Sequence, residues 1–442
     1  MSNLHADTVA FVRDTMLPQK EPPASTVGLL GWGKKNLFTG PFNTIVTILC
    51  TAFIAYVLWM LIPWFFSPTW NATSLGECRE MLTAAGKVGE HGTSGACWGV
   101  IRERWIQLLF GFYPAELYWR PILAFVLLAP ALAPVLFSDK VPSKLLIFSA
   151  IYPFLFPWLL WGGTIWSPIC AALGFVILYA VVKYGSEAIG QLGAIIAAVV
   201  AAMVWWLFLS GYVQDGLASV IPLAIEPVAS RDFGGMMLSI TIGVVAIACS
   251  LPLGIVLALG RQSDLLIVKS LCVGFIEFIR GVPLITLLFV ASTLLNIFLP
   301  PGTNFDIILR VIIMATLFSA AYMAEVIRGG LAALPKGQYE GADSLGLDYW
   351  QAQRLIIMPQ ALKISIPGIV STFIGLFKDT TLVSVIGLLD PLGLSNSIRA
   401  DQAWNGIVWE LYMFIAALFF LFCFGMSRYS MYLERKLQTG HR

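Results

Sequence analysis

The chain has 442 residues, 58% of them hydrophobic and 12% charged, with a mean hydropathy of +0.82. Soluble domains carry roughly 25% charged residues, so the composition excludes a water-soluble globular protein and points to an all-α integral membrane protein. A net charge of +2 gives no reason to expect a nucleic-acid partner, and no GxxxxGK[ST] pattern marks an ATP site in this chain.

Residues 1–40 are polar and carry Pro18, Pro22 and Pro23. They read as a cytoplasmic tail, largely disordered over 1–35. They do not read as a cleaved signal, because the first apolar run, from Thr44, is about 20 residues long and suits a span. On that length the pattern predicts about ten spans, near 44–66, 121–137, 144–161, 166–183, 190–211, 236–260, 271–299, 307–327, 366–389 and 407–427. Prolines crowd 121–161 and predict kinks there. Trp158, Trp161, Trp205 and Trp206 read most simply as interfacial aromatics.

The loop 67–120 is too long for a plain connector. It reads either as a contact for a periplasmic binding protein or as a cap over the extra spans. It holds Cys78 and Cys97, which in a periplasmic loop are a candidate disulfide, with two unpaired thiols as the alternative. Cys50, Cys170, Cys249, Cys272 and Cys423 fall in apolar runs, as small buried hydrophobes do. His5, His91 and His441 all lie outside those runs, so no metal site is expected. Lys and Arg cluster before the first span, between the second and third, after the fourth, between the sixth and seventh, between the eighth and ninth, and after the last. With an even number of spans all these clusters, and both termini, fall on the cytoplasmic side.

One of those segments, EGADSLGLDYWQAQRLIIMP from Glu340 to Pro359, has its own helix grammar. Pro335 suits a first helical turn. Gly346 suits the left-handed residue that closes a short helix. Asp348 with Gln351 is in capping-box register for a second helix, which Pro359 is expected to disrupt before the ninth span.

Here the chain resembles the permease subunits of bacterial ABC importers. Glu340, Gly341, Ala342, Gly346, Ile356, Met358 and Pro359 reproduce, at full spacing, the cytoplasmic loop pattern EAA, three residues, G, nine residues, I, one residue, LP. Gly341 stands for the second Ala and Met358 for Leu. The stretches FIEFIRGVPLITLLF (275–289), SAAYMAEVIRGGL (319–331) and FKDTTLVSVIG (377–387) look like segments of polar amino acid importers. The resemblance covers about 231–436. With the long extension before it, the chain is similar to the general L-amino acid importers.

The resemblance implies a tail (1–40), an N-terminal extension of about five spans (41–230), and a five-helix type I permease core (231–436) with a coupling loop at 335–360. The Glu340–Leu345 helix would dock into an ATPase subunit, with Glu340 making a directional charge contact and Gly341 and Ala342 allowing close approach. Expected partners are an ABC ATPase in two copies, a second and different permease chain, a periplasmic amino-acid-binding protein and the amino acid itself. The chain would be a non-catalytic subunit of the bacterial inner membrane with no cofactor of its own, ATP and Mg being held by the ATPase.

Ionisable residues inside spans mark candidate function. Lys378, Asp379, Thr380 and Thr381 fall near the middle of the ninth span. Asp379 suits a substrate ammonium and Lys378 a carboxylate; a strained Lys378–Asp379 pair is the bland alternative. Glu325, Tyr322 and Ser319 share one face of the eighth span, and Glu325 either faces the substrate pathway or pairs with Arg328. Glu277 and Arg280 precede Gly281 and Pro283, where the helix must break or kink, and read as structural or gate-forming. The rival function is an ion-coupled secondary amino acid transporter, which internal repeats would favour; none is visible. A membrane enzyme ranks third, since the spans hold no histidine cluster or nucleophile elbow.

Overall fold

A computed structural model describes residues 28–89, 92–293, 297 and 306–438. It divides into two compact units, one of residues up to Pro68 with Met81–Ala96, the other of Thr69–Glu80 with Cys97 onward.

In the first unit, Gly28–Asn36 forms a helix (α1) with Lys34 and Lys35 in its last turn, where their charge complements the helix dipole. The disordered tail expected over 1–35 therefore does not extend to these residues; 1–27 lie outside the described residues. The first span, α2 (Pro41–Phe65), buries none of its residues. Its carbonyl end is capped by the segment 81–96: Ala96 N–H donates to Trp64 O at 2.9 Å, and Lys87 Nζ donates to Pro63 O and Phe66 O at 2.7 and 3.1 Å.

α3 (Leu75–Ala84) carries Cys78, which is joined to Cys97 by a disulfide with Cα atoms 6.0 Å apart. α4 (Gly99–Phe110) follows, and then the hairpin α5 (Trp119–Leu136) and α6 (Leu146–Trp161). α7 (Trp166–Val204) is broken at Gly190, whose φ is +74°. A wider π turn over Trp205–Leu209 leads into α8 (Ser210–Val220), so the fifth span runs to residue 220 and not to 211. The four tryptophans read as interfacial aromatics each give their indole N–H to a partner in the chain. Their indole N–H groups donate to Gly163 O (Trp158), Ser230 Oγ (Trp161), Cys170 O (Trp205) and Ala171 O (Trp206). An indole N–H in apolar surroundings needs an acceptor; α7 supplies it for Trp205 and Trp206, the turn after α6 for Trp158, and the connection before α9 for Trp161. Trp161 also stacks on Phe233 at 4.5 Å.

The C-terminal half comprises α9 (Gly235–Arg261), α10 (Leu266–Gly281), α11 (Leu284–Thr293), α12 (Ile307–Ala332), α13 (Lys336–Ser344), α14 (Tyr349–Ala352), α15 (Met358–Asp379), α16 (Pro391–Ala400) and α17 (Trp409–Gln438). Among the described residues nine helices are long and apolar enough to cross a membrane, and ten if the bent pair α10–α11 counts as one span. That pair bends by 101°, so the span expected over 271–299 is two helices meeting at Val282–Pro283, where the break or kink was expected. Pro283 has no N–H to give and its ring crowds the preceding turn. Residues 294–296 and 298–300 lie outside the described residues.

The ninth span is longer than expected. Helix runs from Tyr349 to Ile386 through a π turn at Gln353–Ile357 and a 3₁₀ stretch at Thr380–Ile386. Pro359 does not stop it. The π turn shifts the bonding by one residue, with Met358 N–H bonding Gln353 O, so the missing proline N–H falls where the ladder is already being re-registered. Pro367 likewise sits inside an unbroken α15.

The extension braces the C-terminal half at both ends. Gly111 pairs with Phe233 in an isolated bridge, and a Cβ on Gly111 (φ +69°) would lie 2.4 Å from Gly234 Cα, so only glycine fits there. Arg104 of α4 pairs with Asp401. Glu410, at the start of α17 and 7% exposed, accepts the Cys97 N–H at 2.8 Å. At the opposite end of α17, Tyr429 OH donates to Leu136 O at 2.7 Å and Lys436 pairs with Asp139. The Lys436 ammonium holds the Asp139 carboxyl below the usual carboxylate range. Residues 97–110 thus pack on the C-terminal helices, while further along the same loop Tyr113 donates its OH to Leu160 O of α6 at 2.8 Å.

Candidate functional site

The segment from Lys336 to Pro359 is a helix–turn–helix, as its residues dictate. Pro335 is the N-cap residue of α13 and not part of its first turn. Gly346 has φ +70°. Gly346 N–H bonds Asp343 O at 2.9 Å and Leu347 N–H bonds Ala342 O at 3.3 Å, the two bonds of a Schellman C-cap. Asp348 accepts from Gln351 N–H at 2.8 Å while the Gln351 side chain accepts from Asp348 N–H at 3.1 Å, a complete capping box. Glu340 and Gly341 are exposed, Ile356 and Met358 half-buried, and Pro359 exposed. Ala342 is buried and so does not offer the close outward approach expected of it. The apolar side chains that do face outward are Leu345 (73% exposed), Trp350 (69%), Tyr349 and Leu355.

Asp379 stands where α15 tightens into 3₁₀ helix. It borders a cavity of about 10 Å³, room for one water molecule, walled by apolar side chains of α9, α11, α12 and α15, with Leu284 and Leu288 from the first turns of α11. No ion pair reaches Asp379 among the described residues, so the Lys378–Asp379 pair is not formed. The threonine hydroxyls do not solvate the carboxylate either. Thr380 Oγ1 donates to Phe377 O at 2.7 Å and Thr381 Oγ1 to Lys378 O at 2.9 Å.

Glu325 lies on α12 among three arginines. It pairs with Arg261 from the end of α9, with Arg328 one turn on at 3.0 Å, and more distantly with Arg280 of α10 at 3.7 Å. Arg261 also reaches Glu277 at 3.0 Å. Glu277 and Arg280, three residues apart, do not pair with each other among the described residues. The Arg280 guanidinium instead lies 5.6 Å from the centre of the Tyr322 ring. Ser319 is buried with its hydroxyl unpaired. The network ties three helices within about two turns of α13. Replacing Glu325 by Gln leaves three guanidinium groups facing one another, and because the site is partly wet the expected loss is about 2 kcal/mol. A lowered thermal midpoint of the detergent-purified protein would report it; an unchanged midpoint would show the pairs contribute nothing.

A family model described as the binding-protein-dependent transport system inner membrane component matches residues 250–439. The glutamate/glutamine/aspartate/asparagine transport system permease protein BztC of Rhodobacter capsulatus is 59% identical over 435 residues, 98% of this chain and 99% of that protein. This chain belongs to the permease subunits of amino-acid ABC importers. The inner membrane amino-acid ABC transporter permease protein YhdY of Escherichia coli K12 is 39% identical over 414 residues, 92% of this chain and 93% of that one. Among solved structures, one described as an amino acid ABC transporter with histidines covers 45% of this chain and 91% of its own, at 30% identity and a TM-score of 0.41.

Membership removes the ion-coupled transporter from consideration. The permease is a helical transport component, and the matched family segment runs from within α9 to the end of α17. Sequence reasoning missed Arg261 as the bridge of the charge network. Arg261 and Glu277 lie 16 residues apart on different helices, and no helical spacing brings such a pair to view. The only local signal was that both are charges beside apolar spans.

Proposed function

We propose that this permease carries polar L-amino acids, with glutamate, glutamine, aspartate and asparagine as its substrate class, across the inner membrane into the cytoplasm. The observation that carries this is full-length similarity, 59% over 98% of the chain, to a permease named for those four amino acids. In this reading 1–40 is the tail, 41–230 the extension and 231–436 the core, both termini are cytoplasmic, and a periplasmic binding protein delivers substrate. The loop 340–359 docks an ABC ATPase present in two copies, which holds ATP and Mg. This chain catalyses no reaction itself. Asp379 receives the substrate ammonium. Glu325, Tyr322 and Ser319 brace the helices beside the dock and do not hold substrate.

A second permease, a different chain, completes the pore. The extension supports this: its contacts with Asp401, Glu410 and the far end of α17 commit this half to one specialised arrangement. Native mass spectrometry of the purified complex should show one copy of this chain, one different permease and two ATPases. Two copies of this chain with no second permease would overturn the heterodimer. In proteoliposomes containing the complex and the binding protein, glutamate uptake should require ATP. Uptake driven by an ion gradient without ATP would overturn the transport reading.

A further inference from the structure

On the side of α15 facing α17 lies a second cavity, of about 450 Å³, lined in part by Ser371, Lys378, Ser427, Ser430 and Glu434. A space of this size matches small-molecule sites. Ser371 and Lys378 are two turns apart on one face of α15, and Ser427, Ser430 and Glu434 follow one face of α17. Adjacent helical residues point about 100° apart, so Lys378 opens on this cavity while Asp379 borders the small one.

Three observations say that this face does not meet lipid. Lys378 is exposed and makes no ion pair among the described residues. Lys378 lies eight residues before Ile386, the end of the ninth span, more than two helical turns inside it, where a bare ammonium in hydrocarbon is strongly disfavoured. The hydroxyls of Ser371 and Ser427 make no hydrogen bond within the chain among the described residues, whereas Thr372 Oγ1 returns its proton to Gly368 O at 2.9 Å, as hydroxyls in apolar surroundings do. Unspent hydroxyls and a lone ammonium are groups prepared for water or for an anionic ligand.

We propose that the α15–α17 cavity is one wall of a water-filled transport path, closed in the complex by the second permease, and that the Lys378 ammonium there receives the side-chain carboxylate of acidic amino acids. The inference rests on the reading of the permease as a carrier of acidic and amide amino acids. It deepens that reading by separating the two classes: glutamate and aspartate bring a carboxylate to Lys378, glutamine and asparagine bring only an amide. Lys378 is then a specificity-determining residue, distinct from the station at Asp379.

The test uses the whole complex with its binding protein in proteoliposomes, and compares labelled glutamate with labelled glutamine. Lys378→Gln should lower glutamate uptake relative to glutamine by about tenfold or more, the scale for losing one charge of a desolvated pair, while Lys378→Arg should keep the wild-type ratio. An equal loss of both substrates, or no loss, overturns the proposal. If Lys378→Gln fails to assemble, a wild-type ratio of uptake rates in Lys378→Met or a shifted ratio in Lys378→Arg overturns it. The second arm replaces the five free cysteines by alanine and introduces Ser371→Cys. Modification of the introduced thiol by a charged, membrane-impermeant methanethiosulfonate, with block of uptake, is expected. A thiol there that stays unreactive and instead cross-links to a helix of the second permease shows a packed helix seat and overturns the water path. If the wild-type complex transports neither amino acid, the functional reading itself fails, an outcome distinct from these.

Discussion

Asp379→Asn is expected to abolish uptake, by about 100-fold or more, while the complex assembles normally and its basal ATPase activity stays intact. The size follows from losing one charge of a desolvated pair, which costs about 2–5 kcal/mol, with each 1.4 kcal/mol worth about tenfold. A carboxylate inside a span costs roughly 2.5 kcal/mol or more on insertion scales. Asp379 meets that cost half-buried, where α15 tightens into the 3₁₀ stretch. The neighbouring hydroxyls do not relieve it, since Thr380 and Thr381 bond their own helix. No cation of the described residues pairs with it. What borders it is a cavity of about one water, with the first turns of α11 on the opposite wall. In the proposed reading a substrate ammonium offsets the charge when the transporter is loaded. Asparagine keeps the shape and removes only that charge. Uptake at the wild-type rate by the Asn variant would make Asp379 a packing residue and send the search for the substrate site to the partner chain.

Glu340→Lys is expected to release the ATPase or to uncouple hydrolysis from uptake. Glu340 is exposed on α13, beside the outward-facing Leu345, Tyr349, Trp350 and Leu355. Large apolar side chains beside exposed acids, Glu340 with Asp343 and Asp348, have the make-up of an interface core with charged contacts, and in a watery loop they are costly unless covered. Reversing the charge at the centre of such a contact costs about 2–4 kcal/mol, enough to lower ATPase recovery on affinity purification by about tenfold or more. Glu340→Gln should fall between. Since Ala342 packs inward, its replacement by a larger residue should lower thermal stability more than ATPase recovery. Unchanged recovery and unchanged uptake in the Lys variant would leave the loop without its docking role.

The features legible in advance were local or periodic. Span number came from runs of apolar residues measured against bilayer thickness, and the structure agrees once the bent α10–α11 pair is counted as one. Gly346 and the Asp348–Gln351 box were readable because capping chemistry acts within four residues along the chain. The break before Pro283 was readable because proline acts on its own turn. The family was readable because its loop is a fixed spacing of side chains in a single segment.

Most of the failures depended on which helix stands beside which. Pro359 is the local exception: it looks like a stop until the π turn ahead of it in the same helix absorbs the missing bond. Glu277 and Arg280 read as structural or gate-forming, but their partners, Arg261 and Glu325, come from other helices. The four tryptophans read as interfacial aromatics, but which carbonyl or hydroxyl each indole N–H meets was not readable. Lys378 and Asp379 are neighbours in the chain, yet they open on different cavities because a helix turns about 100° per residue. Composition, periodicity and capping therefore determined what the chain is and where its segments begin and end. Only packing assigned partners to its charges, because an ion pair or a cavity wall joins residues that lie far apart along the chain and close together in space.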